Sequence, residues 1–323
     1  MQDPTGWDLV RWGASRFNAA GIFFGHGTDN AMDEALVLVR HALHLPPDIP
    51  GELLGGRLVE EERNAVLTLF SRRVEERIPA AYLTREAWFM GLEFYVDERV
   101  LIPRSPMAEW IERGFAPWLD PEGAPAGSGR APGRILDLGT GSGCLAIALA
   151  SVFPETRIDA VDISADALEV AHHNIRAHGL EDRVHAIESD LFAGLDTGLA
   201  VSGPYDLIVS NPPYVDAREL AAMPSEYHHE PLIGLSGGDD GLAIVGAILR
   251  EAGRFLAPEG ILAVEVGSSR PAVEKAFPKL PLIWLTLTSG GENVFLIPAR
   301  ELSSRSPPDL GNRSEASPRT GKA

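Results

Sequence analysis

From residue 134 onward, short runs dominated by apolar residues alternate with longer stretches whose apolar positions recur at helical spacing. The runs at 134–138, 157–161, 183–187 and 205–210 are read as strands, and 165–178 as one of the helices between them. The runs at 260–266 and 293–298 are read as later strands. Strands that are apolar throughout are buried on both faces, and strand–helix alternation predicts a mostly parallel sheet with helices on both sides. A doubly wound order 3-2-1-4-5 makes the first and fourth strands neighbours, so their carboxyl-end turns lie side by side.

The first part of the chain has a different period. Trp7, Val10, Trp12, Ala14 and Phe17 form a loose apolar stripe, and Ala31, Ala35, Leu38, Val39 and Ala42 follow the capping candidates Thr28, Asp29 and Asn30. A third helix is predicted over 60–78, with Val66, Leu67, Leu69, Phe70 and Val74 on one side and Pro79 as its terminator. Residues 1–85 are therefore read as a small helical domain. Across 86–119, Gly91 interrupts the pattern; Phe94, Val96, Val100 and Ile102 suggest short strands, and a helix is predicted from about Pro106. The Pro/Gly/Ser-rich stretch 120–133 reads as a flexible linker, 134–300 as the main α/β domain, and the polar tail 301–323 as disordered.

Bulk properties narrow the possibilities. A chain of 323 residues that is 45% hydrophobic has ample material for a core, and roughly two domains of about 150 residues fit its length. No apolar run approaches the ~20 residues that span a bilayer. The start, MQDPTGWDLV, lacks a basic region followed by an apolar one. Cys144 is the single cysteine, so no intrachain disulfide can form, and the cytoplasm is the expected location. The net charge of −18, without any Lys/Arg block, opposes direct nucleic-acid binding and favours a small molecule or a basic protein as partner.

Candidate chemistry gathers at the strand ends. In "ILDLGTGSGCLAIAL" a strand runs through a glycine-rich turn into a helix, and Gly139, Gly141 and Gly143 let backbone approach a ligand at the helix N-terminus. A tight βα turn also favours glycine, so the turn alone is weak. Asp162, just past the next strand, is placed to accept from both ribose hydroxyls, and Asp190, past the third, to meet an adenine amino group. Thr140 and Leu191 are counted with them as cofactor-binding candidates. A dinucleotide fingerprint needs G-x-G-x-x-G/A, and here the third glycine falls one position early. Asp137, ahead of the turn, would repel a pyrophosphate but welcome an amine or sulfonium. S-adenosylmethionine is the cofactor these residues favour.

The fourth strand exits through Asn211-Pro212-Pro213-Tyr214. The Asn211 side-chain carbonyl and the Pro212 backbone carbonyl are two acceptors for one planar NH2 group, and Pro213 holds Pro212 extended. Tyr214 is expected to stack on the flat group, and Asn211 to border the cofactor as well. The same tetrapeptide could simply end a strand in a turn, or hold an adenine N6.

D-L-G-T-G-S-G-C at 137–144, V-D-I-S at 161–164 and N-P-P-Y at 211–214 resemble the N5-glutamine methyltransferases, a family of class I S-adenosylmethionine-dependent enzymes. The resemblance covers nearly the whole chain except the linker and the tail. "FFGHGTDNAMDEA", "YLTREAWFMGLEFYVDERVLIPR" and "IPRSPMAE" are similar to the branch that methylates a glutamine of the third large-subunit ribosomal protein. The release-factor branch carries I-P-R-P-D-T-E instead. Arg85 stands where the family usually has glycine. The resemblance implies methyl transfer to a glutamine side-chain nitrogen, with Asn211, Pro212, Pro213 and Tyr214 as catalytic residues. It implies a basic ribosomal protein as substrate, with selection by the helical domain and Glu230 shaping the cleft. The alternatives are methylation of release factors, adenine N6 methylation of a nucleic acid, or a binding module that keeps only the fold.

Other residues suggest less. The adjacent histidines of "EYHHEP" at 226–231 point different ways and carry no metal reading. His172 and His173 read as surface residues, His26 as structural, and Cys144 as an apolar helix start rather than a nucleophile. Neither G-x-S-x-G nor a P-loop lysine motif occurs.

Overall fold

The computed structural model describes residues 3–119, 131–197, 204–288 and 290–303. Most of the predicted linker and tail therefore lies outside the described residues. Residues 301–303 belong to a helix, which corrects the predicted start of the tail.

The first helix, α1 (Gly6–Ala19), opens on a capping box in which Thr5 and Asp8 satisfy each other's backbone amides. Helix α2 (Ala31–Ala42) is capped by Asn30, whose side chain accepts from Met32 and Asp33. Helix α3 (Glu60–Glu75) carries three glutamates in its first turn and Arg72 and Arg73 in its last, each sign matching the helix dipole. It does not run to Pro79. The chain leaves the helix at Glu76 and turns through Arg77 at φ +60°, and Pro79 instead opens the short α4 (Ala80–Thr84). Val10, Phe17, Leu38, Val66 and Phe70 form a core of their own. Gly13 permits that packing, because a Cβ there would lie 2.4 Å from the Phe70 ring.

Strands β1 (Glu86–Phe89) and β2 (Leu92–Tyr95) form an antiparallel hairpin closed by Met90 and Gly91, both at positive φ. Val96, Val100 and Ile102, predicted in strands, are buried in irregular chain instead. Helix α5 (Ala108–Glu112) follows, starting two positions after the predicted Pro106.

The main sheet comprises β3 (Arg134–Leu138), β4 (Arg157–Asp162), β5 (Val184–Glu188), β6 (Tyr205–Ser210), β7 (Leu256–Glu265), β8 (Ile283–Leu285) and β9 (Val294–Pro298). Their order is β5-β4-β3-β6-β7-β9-β8. The first five are parallel, and β9 is antiparallel to both neighbours. Strand β7 begins at Leu256 rather than at 260 because its pairing with β6 shifts register between Tyr205 and Leu207. The three-residue β8 has too little pattern to be read from sequence.

Helices α6 (Cys144–Val152), α7 (Ala165–Ala177), α8 (Ala217–Ala222), α9 (Leu232–Leu235), α10 (Ala243–Glu251), α11 (Arg270–Ala276) and α12 (Ala299–Ser303) complete the fold. Alternate strand residues face opposite sides. Ile135, Leu207 and Val209 pack with α6, whereas Leu136, Leu138 and Ile208 pack with α10. Covering both faces leaves ligand access at the carboxyl edge.

Asn174 of α7 links this edge to the hairpin. Its amide donates to Tyr95 O and Ser142 O, and its Oδ1 accepts from the Tyr95 amide. No helix among the described residues is long and apolar enough to cross a membrane.

Candidate active site

Leu138 of β3 pairs with Ser210 of β6, so Gly139 and Asn211 emerge side by side. Ser210 Oγ donates to Leu138 O at 2.8 Å, tying the two ends together. The turn after β3 holds Gly139 and Gly141 at φ +75° and +54°, and a Cβ on either would meet nothing within 4 Å. Their requirement for glycine is conformational, and the space above them is open.

Asp162 is the last residue of β4, not a residue beyond it. Its Oδ2 accepts from the Gly141 amide and its Oδ1 from the Ser164 amide, each at 2.9 Å. The carboxylate therefore props the glycine-rich turn and keeps further lone pairs for a ligand. Burial raises its pKa against these backbone hydrogen bonds.

Gly139, Thr140, Gly141, Asp162, Asp190, Leu191, Asn211, Pro212 and Pro213 all line one cavity of about 280 Å³. Across it stand residues 99–105 and α9. Gly143, the third glycine, caps α6 at φ +82° and is not among the lining residues. Ser189 places the Asp190–Leu191 step by donating to Leu191 O at 2.9 Å while accepting from the Gly194 amide at 2.7 Å.

Two sequence expectations change. Asp137 does not border the cavity; it is fully buried beneath the turn, where its Oδ2 accepts from Thr140 Oγ1 at 2.7 Å. Burial pushes its pKa up to about 7, outweighing the hydrogen bonds from Thr140 and the Ala146 amide. In this structure it props the turn from below. Tyr214 likewise does not line the cavity. Its hydroxyl donates to Glu265 at 3.0 Å and its ring fills the space over Gly267, where a Cβ would lie 2.3 Å away. The hydroxyl and one side of the ring are thus engaged by the protein.

The segment after the tetrapeptide supplies the far wall. Both Glu230 oxygens engage Arg104, at 2.5 and 2.6 Å, and Oε1 also accepts from the Ile102 amide. Burial alone would raise the Glu230 pKa, but His26 and Arg104 outweigh it and hold the carboxyl below its ordinary range. The Arg104 guanidinium also lies over the Tyr227 ring at 5.4 Å. His26 is buried against Tyr227, with ring centroids 4.5 Å apart. Glu226 accepts from the Phe23 amide and pairs with Arg73 and Arg77, which fastens the helical part of the chain to this wall. Arg104, Ser105 and Glu265 were not legible as site residues. At Glu265 the sequence signal was a single carboxylate inside the otherwise apolar run 260–266.

His229 packs toward Glu76 O while His228 is exposed. Among the described residues no three His, Cys, Asp or Glu side chains are placed to hold a metal. Burial pushes the Cys144 thiol up to about 12, so it is not a thiolate at neutral pH.

The donor set fits an adenosyl group. It offers carboxylates at two strand ends, an open glycine turn, and apolar walls from Leu191 and the half-exposed Ile163. The architecture is that of a class I methyltransferase, and a family model described as "Methyltransferase small domain" matches residues 127–225. A solved methyltransferase from Pyrococcus furiosus is 18% identical with a TM-score of 0.45, covering 65% of this chain and 89% of that one. A ribosomal protein uL3 glutamine methyltransferase of Neisseria gonorrhoeae is 49% identical over 295 residues, 91% of this chain and 94% of its own. Its counterpart from Neisseria meningitidis serogroup A is also 49% identical, over 91% and 93%. The chain belongs to this family of ribosomal protein uL3 glutamine methyltransferases.

Proposed function

We propose that the protein transfers a methyl group from S-adenosylmethionine to the side-chain nitrogen of a glutamine in ribosomal protein uL3. It acts in the cytoplasm, on the free or newly made substrate. The observation that carries this reading is the Leu138–Ser210 register, which sets the glycine-rich cradle directly beside Asn211 and Pro212.

When bound, the cofactor supplies an electrophilic methyl on a sulfonium. Asp162, Asp190, Gly139 and Gly141 are the residues that would hold its adenosyl part, with Leu191 as an apolar wall. Asn211 Oδ1 and the Pro212 carbonyl accept the two amide N–H bonds of the glutamine. That grip turns the nitrogen lone pair toward the cofactor and favours a pyramidal nitrogen. An amide nitrogen is a weak nucleophile because resonance drains its lone pair, and positioning of this kind supplies several kcal/mol. No base is needed before transfer, since the cationic product sheds its proton afterwards.

Substrate choice follows from charge and shape. A chain carrying −18 attracts a basic ribosomal protein and is repelled by RNA phosphates. Ile233 of α9 lines the cavity and is 56% exposed, its neighbour Leu232 is 62% exposed, and Phe23 of the helical domain lies close to Tyr227. They suit a flexible loop entering between the two parts of the chain.

The test is to offer isolated unmethylated uL3, release factor and unmethylated ribosomes as methyl acceptors at several salt concentrations. Label on a uL3 glutamine, with free uL3 fastest at low salt, is the expected outcome. Label on release factor alone defeats the substrate assignment, and faster labelling of ribosomes defeats the timing. A chimera carrying a release-factor enzyme's helical domain should switch preference.

A further inference from the structure

We infer that Glu265 is a positioning residue for methyl transfer, locking the tetrapeptide wall of the cleft to the segment 99–105 through Tyr214 and Ser105. This rests on the reading of the cleft given above.

Glu265 ends β7, the strand beside the one that delivers Asn211, and is only 3% exposed. Its Oε1 accepts from the Tyr214 hydroxyl at 3.0 Å and its Oε2 from Ser105 Oγ at 2.6 Å. Ser105 belongs to the stretch that faces the glycine-rich turn, and its Oγ also accepts from the Met107 amide. One buried carboxylate therefore joins two chain segments that both reach the cavity, 99–105 and 211–213.

The Tyr214 end is held from several directions. Ser269 Oγ donates to its carbonyl at 2.7 Å, its ring covers Gly267, and the neighbouring Val215 amide donates to Leu235 O at 3.0 Å. The Asn211–Pro213 backbone begins three residues from this anchor. Two prolines transmit its position stiffly, so a shift of Tyr214 moves both amide acceptors. A 1 Å misplacement in such a site costs about a hundredfold in rate.

The bond pattern is tied to ionisation. Burial pushes the Glu265 pKa up to about 7, against the hydrogen bonds from Ser105 and Tyr214 and the charge of Arg104. Arg104, Ser105 and Tyr214 are the groups that face it, and Arg104 is already engaged by Glu230. The carboxylate accepts from both hydroxyls at once. The protonated form gives up one acceptor position, so the lock is tightest above about pH 7.

The experiment compares Glu265→Ala, Glu265→Gln and Tyr214→Phe with wild type, well below every melting temperature. Turnover on uL3 is measured from pH 6 to 9, together with cofactor Kd and hydrogen exchange at the Tyr214 and Val215 amides. In Glu265→Ala and Tyr214→Phe, kcat should fall about tenfold to a hundredfold, with cofactor Kd within about threefold. Glu265→Gln offers one acceptor and one donor, as the protonated carboxyl does, so its kcat should match the wild-type value at pH 6, stay above that of the alanine variant, and show no rise through pH 7. Exchange at Val215 should quicken in the alanine variant and not in the glutamine variant. Wild-type kcat and unchanged exchange in Glu265→Ala would overturn the proposal, because a residue that only supports folding leaves both unmoved in the folded protein. If uL3 itself proves not to be the acceptor, the substrate reading fails while the exchange measurement still decides the role of Glu265.

Discussion

Replacing Asp162 tests the cofactor side of the cleft. The side chain makes two charge-assisted bonds to backbone amides, each 2.9 Å, one to Gly141 in the glycine-rich turn and one to Ser164 at the start of α7. Bonds to charged groups contribute about 1.5–3 kcal/mol apiece. In Asp162→Ala both are lost, but the open space above Gly141 lets water reach its amide and recovers part of the loss. The lost turn bonds should lower the stability of the ligand-free protein by about 2–3 kcal/mol, and losing the carboxylate's bonds to the ribose should cost about 1.5–3 kcal/mol of affinity, a roughly 10- to 150-fold weaker cofactor Kd. Asp162→Asn keeps one acceptor and turns an NH2 toward an amide donor, so it should fall between alanine and wild type. Calorimetric titration with S-adenosylhomocysteine measures the change. Melting of the ligand-free variants shows how much of it comes from the turn alone. A Kd within about threefold of wild type, with unchanged melting, would mean that Asp162 neither props the turn nor meets the ligand.

Other expectations follow from the same geometry. Asn211→Ala should lower turnover by about a hundredfold or more while cofactor affinity stays within about tenfold; near-normal turnover in a stopped assay would sink the amide-holding role. Gly267→Ala places a Cβ 2.3 Å from the Tyr214 ring at φ +48°, so about 1–3 kcal/mol of stability should be lost, along with turnover; unchanged urea midpoint and kcat would contradict this. Asp137 has a folded pKa of about 7 against an ordinary 3.8, so the native state binds the extra proton between those values. Its contribution is favourable at low pH and is lost as pH rises through that window. The melting temperature of the ligand-free protein should therefore fall from pH 5 to pH 8, with Glu265 adding to the slope through its own pKa of about 7. Asp137→Asn should flatten the slope, and an identical pH dependence in that variant would show that Asp137 is not its source.

Most of the regular elements could be located from local pattern alone. The strands β3, β4, β5 and β6 were legible to within a residue; for the central β3 and β6 the reason is burial on both faces, which demands apolar residues at nearly every position. The glycines at 139 and 141 announced a turn that only glycine enters easily, and both occupy positive φ. Asn211 and Pro212 were legible as the exit of the fourth strand, because proline restricts the chain locally whatever surrounds it, and both line the cavity. Side-chain direction was not legible, since it depends on neighbours that the fold brings from far away. Asp137 reads as an open carboxylate until α6 and the turn close over it. Tyr214 reads as a free ring until Gly267 and Glu265, more than fifty positions later, claim its face and hydroxyl. The wall built on Glu226 and Glu230 depends on Arg73, 153 positions from Glu226, and on Arg104, 126 positions from Glu230. Charges so distant in sequence carry no mutual signal along the chain. Only tertiary packing removes them from water, and burial is what obliges each to find its partner.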